Sequence, residues 1–225
     1  MSAPLWTITH YIMLTPHVVE MTLEVPQIFS VWAGGRPFIP GQWVLLGYED
    51  EEWLFKRAYS IADYEAKEDN IHITLCIKLL ENGRGSTILK NKKVWDTIEV
   101  SWIFGHFKLQ DTDSPKVFIG TWTGLVPVYN MAKSTKALDK TLIFSVPYKS
   151  ELFYEKQIAD IPNLKHEIYI TREEVPGYHF GRFDLSKFNF EKDTEFYLCG
   201  NPEMVKANTE KLKELWFEKV YSEQF

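Results

Sequence analysis

The stretch IGTWTGLVPVYNM, residues 119–131, reads as a strand end, a tight turn and a helix start. A strand feeding a helix through a short turn is the unit from which parallel sheets are built. Turns that let a ligand come close to the backbone use glycine, because a side chain would be in the way. Here Trp122 stands between Thr121 and Thr123, with Gly120 and Gly124 at the flanks. The stretch is a ligand turn with an unusual residue in it, or no ligand turn at all.

Downstream of it, strands alternate with helical runs. Residues 141–146 form a strand pattern leading to a helix near 151–158, and 167–170 form another strand. Residues 195–198 lead to a last helix, read here as 202–220. Asn201 is its N-cap, with Pro202 at the first helical position and Glu203 next. Met204, Val205, Leu212, Leu215 and Trp216 make its apolar face. This is a βαβ pattern with a parallel sheet. In such sheets ligands bind beyond the carboxyl ends of the strands. The ends that matter are therefore 119–121, 145–147 and 198–200.

Upstream the texture differs. Turn signals at 33–37 (AGGRP), 39–42 (IPGQ), 67–70 (KEDN) and 81–85 (ENGRG) separate short β-rich runs at 18–25, 43–48, 58–61, 71–79 and 97–100. Many short strands at such spacing indicate an antiparallel barrel or sandwich. DTDSP, 111–115, is a polar connector. The expectation is a two-domain chain: an N-terminal antiparallel β-barrel over 1–112 and a C-terminal α/β parallel-sheet domain over 113–225.

The chain has 225 residues and 45% hydrophobic content, so it can bury a sizeable core and is not wholly disordered. Eight tryptophans and 15% aromatic residues fit large rigid cores as well as platforms for a planar ligand. A net charge of −6 argues against a nucleic-acid partner. Two cysteines are too few for a disulfide scaffold, a four-cysteine zinc site or a four-cysteine iron–sulfur cluster. The six histidines show no metal-ligand spacing. No apolar run approaches the ~18 residues of a membrane span, and no secretory leader pattern opens the chain. A cytoplasmic protein without membrane insertion is expected.

The chemistry-bearing motifs begin with Arg57-Ala58-Tyr59-Ser60. An arginine can clamp a phosphate bidentately. Tyr59, two residues on, lies on the same side of a strand. Ser60 adds a hydroxyl. Gly83-Arg84-Gly85-Ser86-Thr87 then opens a helical stretch, whose first N–H groups suit a pyrophosphate. A phosphate clamp, an aromatic plane and a donor suit a flavin nucleotide.

With these residues in hand, the sequence resembles the ferredoxin–NADP reductase superfamily. The marks are FIPGQW (38–43), RAYS (57–60), GRGST (83–87), GTWTGLVP (120–127), CGNPEMV (199–205) and the terminal SEQF (222–225), in family order. The resemblance implies a barrel that binds FAD and a second domain that binds NADPH or NADH. It implies Arg57 on the flavin pyrophosphate, Tyr59 stacked on the isoalloxazine and Ser60 near flavin N5. Gly85, Ser86 and Thr87 would cradle the pyrophosphate. Thr121, Trp122, Thr123, Gly124 and Gly200 would line the nucleotide site, with Cys199 where the nicotinamide enters. Glu223 would lie near the reacting ring, and Phe225 would cover the flavin. Ser60, Cys199 and Glu223 are thus the catalytic candidates, as groups that orient and polarise.

Two departures stand out. The family usually has glycine where this chain has Trp122, and often Gly-Pro where it has Trp102-Ile103. Trp122 blocks the dinucleotide, stacks on it or lies aside as a lid. Arg172 and Lys206 match basic positions of NADP-using members, which gives a slight lean to NADPH. The expected function is hydride transfer from nicotinamide to flavin, then electron transfer to a ferredoxin- or flavodoxin-type carrier. A reductase component of an oxygenase, a free-flavin reductase, and a flavin-binding subunit with a decayed nucleotide site are the rivals.

Overall fold

The computed structural model describes residues 4–26, 38–49, 54–67 and 70–224. It divides into two compact units, 1–108 and 109–225. The break falls ahead of DTDSP because Gln110, just before that connector, and Thr112, within it, are tied to the second unit. The Gln110 backbone N–H donates to the Tyr197 hydroxyl (3.1 Å), and Thr112 donates to Glu195 (2.7 Å).

The first unit contains β1 (Leu5–Thr15), β2 (Val18–Pro26), β3 (Trp43–Glu49), β4 (Leu54–Ala66), β5 (Asn70–Lys78), α1 (Arg84–Lys90) and β6 (Thr97–Phe104). The strands close into an antiparallel barrel in the order β1-β2-β5-β4-β3-β6. Alternation decides which way each strand faces. On β2, Val19, Met21, Leu23 and Val25 are buried, with Glu20, Thr22 and Glu24 between them. Ile71, Ile73, Leu75 and Ile77 of β5 meet them in the same core. β1 is an addition to the expected runs. Its exposed Leu5, Ile12 and Met13 blur the alternation. The AGGRP turn lies outside the described residues.

The second unit contains β7 (Lys116–Thr121), α2 (Leu125–Ser134), β8 (Lys140–Val146), α3 (Glu155–Ala159), β9 (Leu164–Ile170), β10 (His179–Phe180), β11 (Glu195–Gly200), α4 (Pro202–Glu214) and β12 (Val220–Gln224). All pairings in this sheet are parallel, in the order β10-β9-β8-β7-β11-β12. β7 and β11 are buried almost throughout, as interior parallel strands with both faces covered must be. At their starting ends Lys116 and Glu195 form a buried ion pair at 2.8 Å. The Thr112 and Tyr197 hydroxyls also donate to Glu195, each at 2.7 Å.

The last helix stops at Glu214, short of the expected residue 220, and the chain returns as β12. The apolar pattern runs on, but the backbone does not. Trp216 adopts a left-handed φ of +66°. Its N–H donates to Lys213 (3.0 Å), and the Phe217 N–H donates to Leu212 (3.0 Å). That pair of bonds is a Schellman stop, with tryptophan where glycine is usual. Trp216 is 85% exposed and lies outside the helix's apolar face, while Val205 and Leu212 are buried. The helix expected near 151–158 is also shorter. A 3-10 turn at Lys149–Glu151 precedes α3.

Candidate functional site

In the barrel, Arg57, Tyr59 and Ser60 lie on β4, which pairs with β3 over Leu54–Ser60. Pairing with β5 begins only at Ile61. The β5-facing edge of residues 54–60 therefore carries no strand among the described residues, and the Lys56 carbonyl within that segment accepts the Arg57 guanidinium at 2.8 Å. Phe55, Arg57 and Tyr59 stand opposite Tyr48, Leu46 and Val44. Directly opposed residues share a face of an antiparallel pair.

The RAYS and GRGST motifs meet on that face. A Cβ built on Gly85 would lie 3.6 Å from the Tyr59 hydroxyl and 3.6 Å from the Tyr48 ring. The missing side chain leaves a shallow cradle there, with room and without clash. Tyr48 donates its hydroxyl proton to Tyr59 at 2.9 Å. Burial pushes both phenols up, Tyr48 far above the ordinary tyrosine range, so both stay neutral. Tyr48 also stacks on Phe55 at 5.3 Å. Over that same Phe55 ring lie two guanidinium groups, Arg57 at 5.1 Å and Arg84 at 4.7 Å. Ser86 accepts the Leu80 N–H (2.9 Å), and Thr87 donates to the Gly83 carbonyl (3.2 Å). Those bonds fix the turn that presents Gly85.

Tyr48, Phe55 and Arg84 were not among the candidates from sequence. Phe55 was visible in principle, because the 55, 57, 59 spacing puts it on the same strand face as Arg57 and Tyr59. Arg84 lies inside the GRGST motif itself.

In the sheet, the strand order reverses between β7 and β11. The chain runs outward from β7 through β8 and β9, then returns to β7's other side with β11. That is a topological switch point, where a crevice opens beyond the strand ends. The two remaining motif sets both end there. Thr121 closes β7 and accepts the Asn201 N–H at 3.0 Å. Gly200, at φ +132°, approaches Thr121 so closely that a Cβ would lie 2.2 Å from its hydroxyl oxygen. Gly124 touches the other side of the same strand end. A Cβ on it would lie 2.3 Å from the Cys199 carbonyl oxygen. Trp122 and Thr123 form the 3-10 turn between, with Trp122 at φ +52°. Asn201 caps α4 by accepting the Glu203 and Met204 N–H groups (2.9 and 3.2 Å).

Cys199 pairs with Glu223 across β11 and β12. Burial pushes the Cys199 thiol well above its ordinary range, and the Glu223 carboxylate adds to the effect. The thiol is a neutral group, not a nucleophile. Arg172 and Lys206 are exposed, at the end of β9 and on α4. Phe225 lies outside the described residues. Among the described residues there is no cluster able to hold a metal ion.

No protein-family model matches the chain. Curated relatives do. Flavodoxin/ferredoxin–NADP reductase of Buchnera aphidicola subsp. Baizongia pistaciae is 28% identical over 219 residues, covering 86% of this chain and 87% of that protein. Terephthalate 1,2-dioxygenase reductase component 1 of Comamonas sp is 30% identical over 212 residues, covering 86% of this chain and 62% of the relative. One subunit of the Na(+)-translocating NADH-quinone reductase of Neisseria meningitidis is 28% identical over 202 residues. There the chain spans only about half of the relative's length, 49%. A ferredoxin NADP+ reductase of Neisseria gonorrhoeae, solved with bound FAD and NADP, superposes with a TM-score of 0.84 at 20% identity. The match covers 100% of this chain and 99% of that one, and it establishes the shared fold.

The curated relatives and the structural neighbours of the chain are flavoprotein reductases of the ferredoxin–NADP reductase family. The barrel face thus brings together two cations, a neutral phenol and a glycine cradle. The sheet end brings together a strand-order switch point and two glycines that let backbone segments close on each other.

Proposed function

We propose that this chain is a flavin-dependent NAD(P)H oxidoreductase that passes electrons to a ferredoxin- or flavodoxin-type carrier in the cytoplasm. The observation that carries the reading is convergence. Motifs separated by 23 residues or more in sequence, Arg57–Ser60 with Gly83–Thr87 in one unit and Thr121–Gly124 with Cys199–Asn201 in the other, each close into one site.

A flavin held in the barrel supplies hydride acceptance from a nicotinamide and release of electrons singly or in pairs. The chain's own residues position and tune. Arg57 and Arg84 supply positive charge for a pyrophosphate. Tyr59 offers a neutral aromatic face, with Tyr48 holding its hydroxyl. Ser60 brings a hydroxyl to the open edge of β4. Gly124 and Gly200 keep the crevice floor thin, so backbone N–H groups can meet phosphate oxygens. Cys199 remains protonated, a small neutral wall beside Glu223, and forms no covalent bond to substrate.

A second reading has support of its own: the terephthalate dioxygenase relative is the reductase component of an oxygenase. The acceptor would then be an oxygenase partner. Anaerobic stopped-flow mixing of the yellow holoprotein with NADH or NADPH tests the core reading through bleaching of the flavin band. A colourless protein that ignores added FAD overturns it. A yellow protein that neither nucleotide bleaches points to a decayed nucleotide site. Turnover with ferredoxin, flavodoxin and free flavin as acceptors then separates the partners.

A further inference from the structure

The parallel sheet has two ends, and the motifs described above use only one of them. A cleft of about 510 Å³ opens at the other, where β7, β8 and β9 begin. Lys116 to Thr121 spans five residue steps, about 16 Å of strand, so the cleft is well separated from the switch-point turn. Its volume is that of a small-molecule site. Strand register builds its floor. Val117, Thr141 and Lys165 are partners across β7, β8 and β9, and Glu167 lies two residues beyond Lys165 on the same face. The segment before β11 builds its wall, with Phe188, Phe190, Glu191 and Thr194.

The wall is aromatic and fixed. Phe188 and Phe190 stack at 5.5 Å with their planes 3° apart, and Phe190 meets Phe196 and Phe217 edge-on. The lining is acidic. It carries the carboxylates of Asp139, Glu167 and Glu191. Of its two lysines, Lys116 is engaged with buried Glu195 at 2.8 Å, and Lys165 pairs with Asp139 at 3.1 Å. Glu167 meets the His179 imidazole at 2.5 Å.

Thr194 adds an independent observation. Its backbone N–H donates to the Glu191 carbonyl at 3.1 Å, a turn that sets both residues on the cleft. Thr194 is 2% exposed, and its hydroxyl has no hydrogen-bond partner among the described residues. Buried hydroxyls are nearly always partnered, because leaving one unpaired costs stability. An unpartnered hydroxyl on a cleft residue is a group that a bound molecule would satisfy. Carboxylates beside aromatic rings favour a cation. The described residues do not gather the carboxylates into a cluster able to hold a metal ion, which favours an organic cation. A carboxylate and a hydroxyl oxygen both accept N–H groups, which favours an amine over a quaternary ammonium.

We propose that the cleft at the starting ends of β7, β8 and β9 binds a small organic amine. Glu167 and Glu191 accept its N–H groups, Phe188 and Phe190 lie against its methylenes, and the Thr194 hydroxyl is its buried partner.

The test is titration calorimetry of spermidine into the flavin-loaded protein, with tetramethylammonium as a cation that has no N–H. Saturable binding of spermidine is expected, with tetramethylammonium at least about tenfold weaker. Glu191→Gln should weaken spermidine about tenfold. Glu210→Gln removes the same charge from α4, outside the cleft, and should change it by less than about twofold. Thr194→Val removes the hydroxyl at nearly constant volume. It should raise the melting temperature of the amine-free protein and weaken spermidine at least about fivefold, a pair of effects that a purely structural threonine does not produce. Thr194→Ser keeps the hydroxyl and should bind spermidine as the wild type does. Absence of saturable binding, or equal weakening by Glu191→Gln and Glu210→Gln, overturns the proposal. So does a Thr194→Val variant that melts lower and binds spermidine unchanged, because the hydroxyl is then a partnered structural group. None of these outcomes bears on the reductase reading, which rests on the barrel and on the other end of the sheet.

Discussion

A methyl group placed on Gly124 would lie 2.3 Å from the carbonyl oxygen of Cys199. The turn after β7 and the end of β11 therefore touch backbone to backbone, and the contact holds only while residue 124 has no side chain. Gly124→Ala cannot be absorbed by rotating a flexible group, because the obstacle is main chain. We expect a loss of stability of about 2 kcal/mol or more, read as a lower urea midpoint, together with loss of nucleotide binding. Wild-type stability in this variant would show that the turn can move away.

Gly85→Ala is the contrasting case. Its Cβ would meet the Tyr48 and Tyr59 side chains at an ordinary 3.6 Å. Gly85 is inside α1, where alanine is favoured over glycine by up to about 1 kcal/mol. The apoprotein should therefore be as stable as wild type or slightly more so. Flavin should bind more weakly because the cradle is filled. Dialysis followed by the flavin absorbance ratio reads the second effect and a thermal melt the first.

Trp122 occupies a left-handed backbone conformation, at φ +52°, where the superfamily usually has glycine. A non-glycine residue there carries a penalty of roughly 1–2 kcal/mol. Trp122→Gly removes it but loosens the unfolded chain by about 0.4–1 kcal/mol. Net stability should change by less than about 1 kcal/mol, while the nucleotide KM shifts. Trp122→Ala keeps the strain and loses the ring's contacts, so it should be less stable than Trp122→Gly. The reverse order in urea titrations would show that the left-handed backbone at residue 122 carries no strain for glycine to relieve.

Lys116 and Glu195 lie almost wholly buried at 2.8 Å. Burial alone would raise the Glu195 carboxyl. Hydrogen bonds from Lys116, Thr112 and Tyr197 outweigh that and hold it below the ordinary glutamate range. Its folded pKa is thus depressed, so its stabilising contribution is full above the unfolded value, near about pH 4.3. The contribution is lost as pH falls through the folded value. Lys116→Met should leave a buried, unpaired carboxylate and cost about 3–5 kcal/mol at neutral pH. The deficit should shrink on acidification toward about pH 4, as the stranded carboxyl takes up a proton. A deficit independent of pH would argue against charge as its cause.

Cys76 and Cys199 are both buried, and burial raises the Cys199 thiol well above its usual range. An aromatic disulfide reagent at about pH 8 should find no rapidly reacting thiol in the native protein and two in guanidinium. A fast native thiol would mean that the end of β11 opens readily.

The sequence by itself determined the two-domain layout. The change from alternating short runs to strand–helix units is a change in local period, and local period needs only neighbouring residues. Arg57, Tyr59, Gly85, Gly124 and Cys199 were legible for the same reason, as compact motifs. It could not show where the last helix ends, because the apolar spacing of Leu215, Trp216 and Phe217 continues while the left-handed Trp216 turns the chain toward β12. Nor could it show that Arg84 joins Arg57 over Phe55, or that Glu173 lies on the Lys149 backbone. Those partners are 27 and 24 residues apart, and strand pairing and register, not sequence proximity, bring them together. Tertiary structure also decided the character of the charges. Only the fold places Glu155 and the Tyr178 hydroxyl on the Lys149 ammonium.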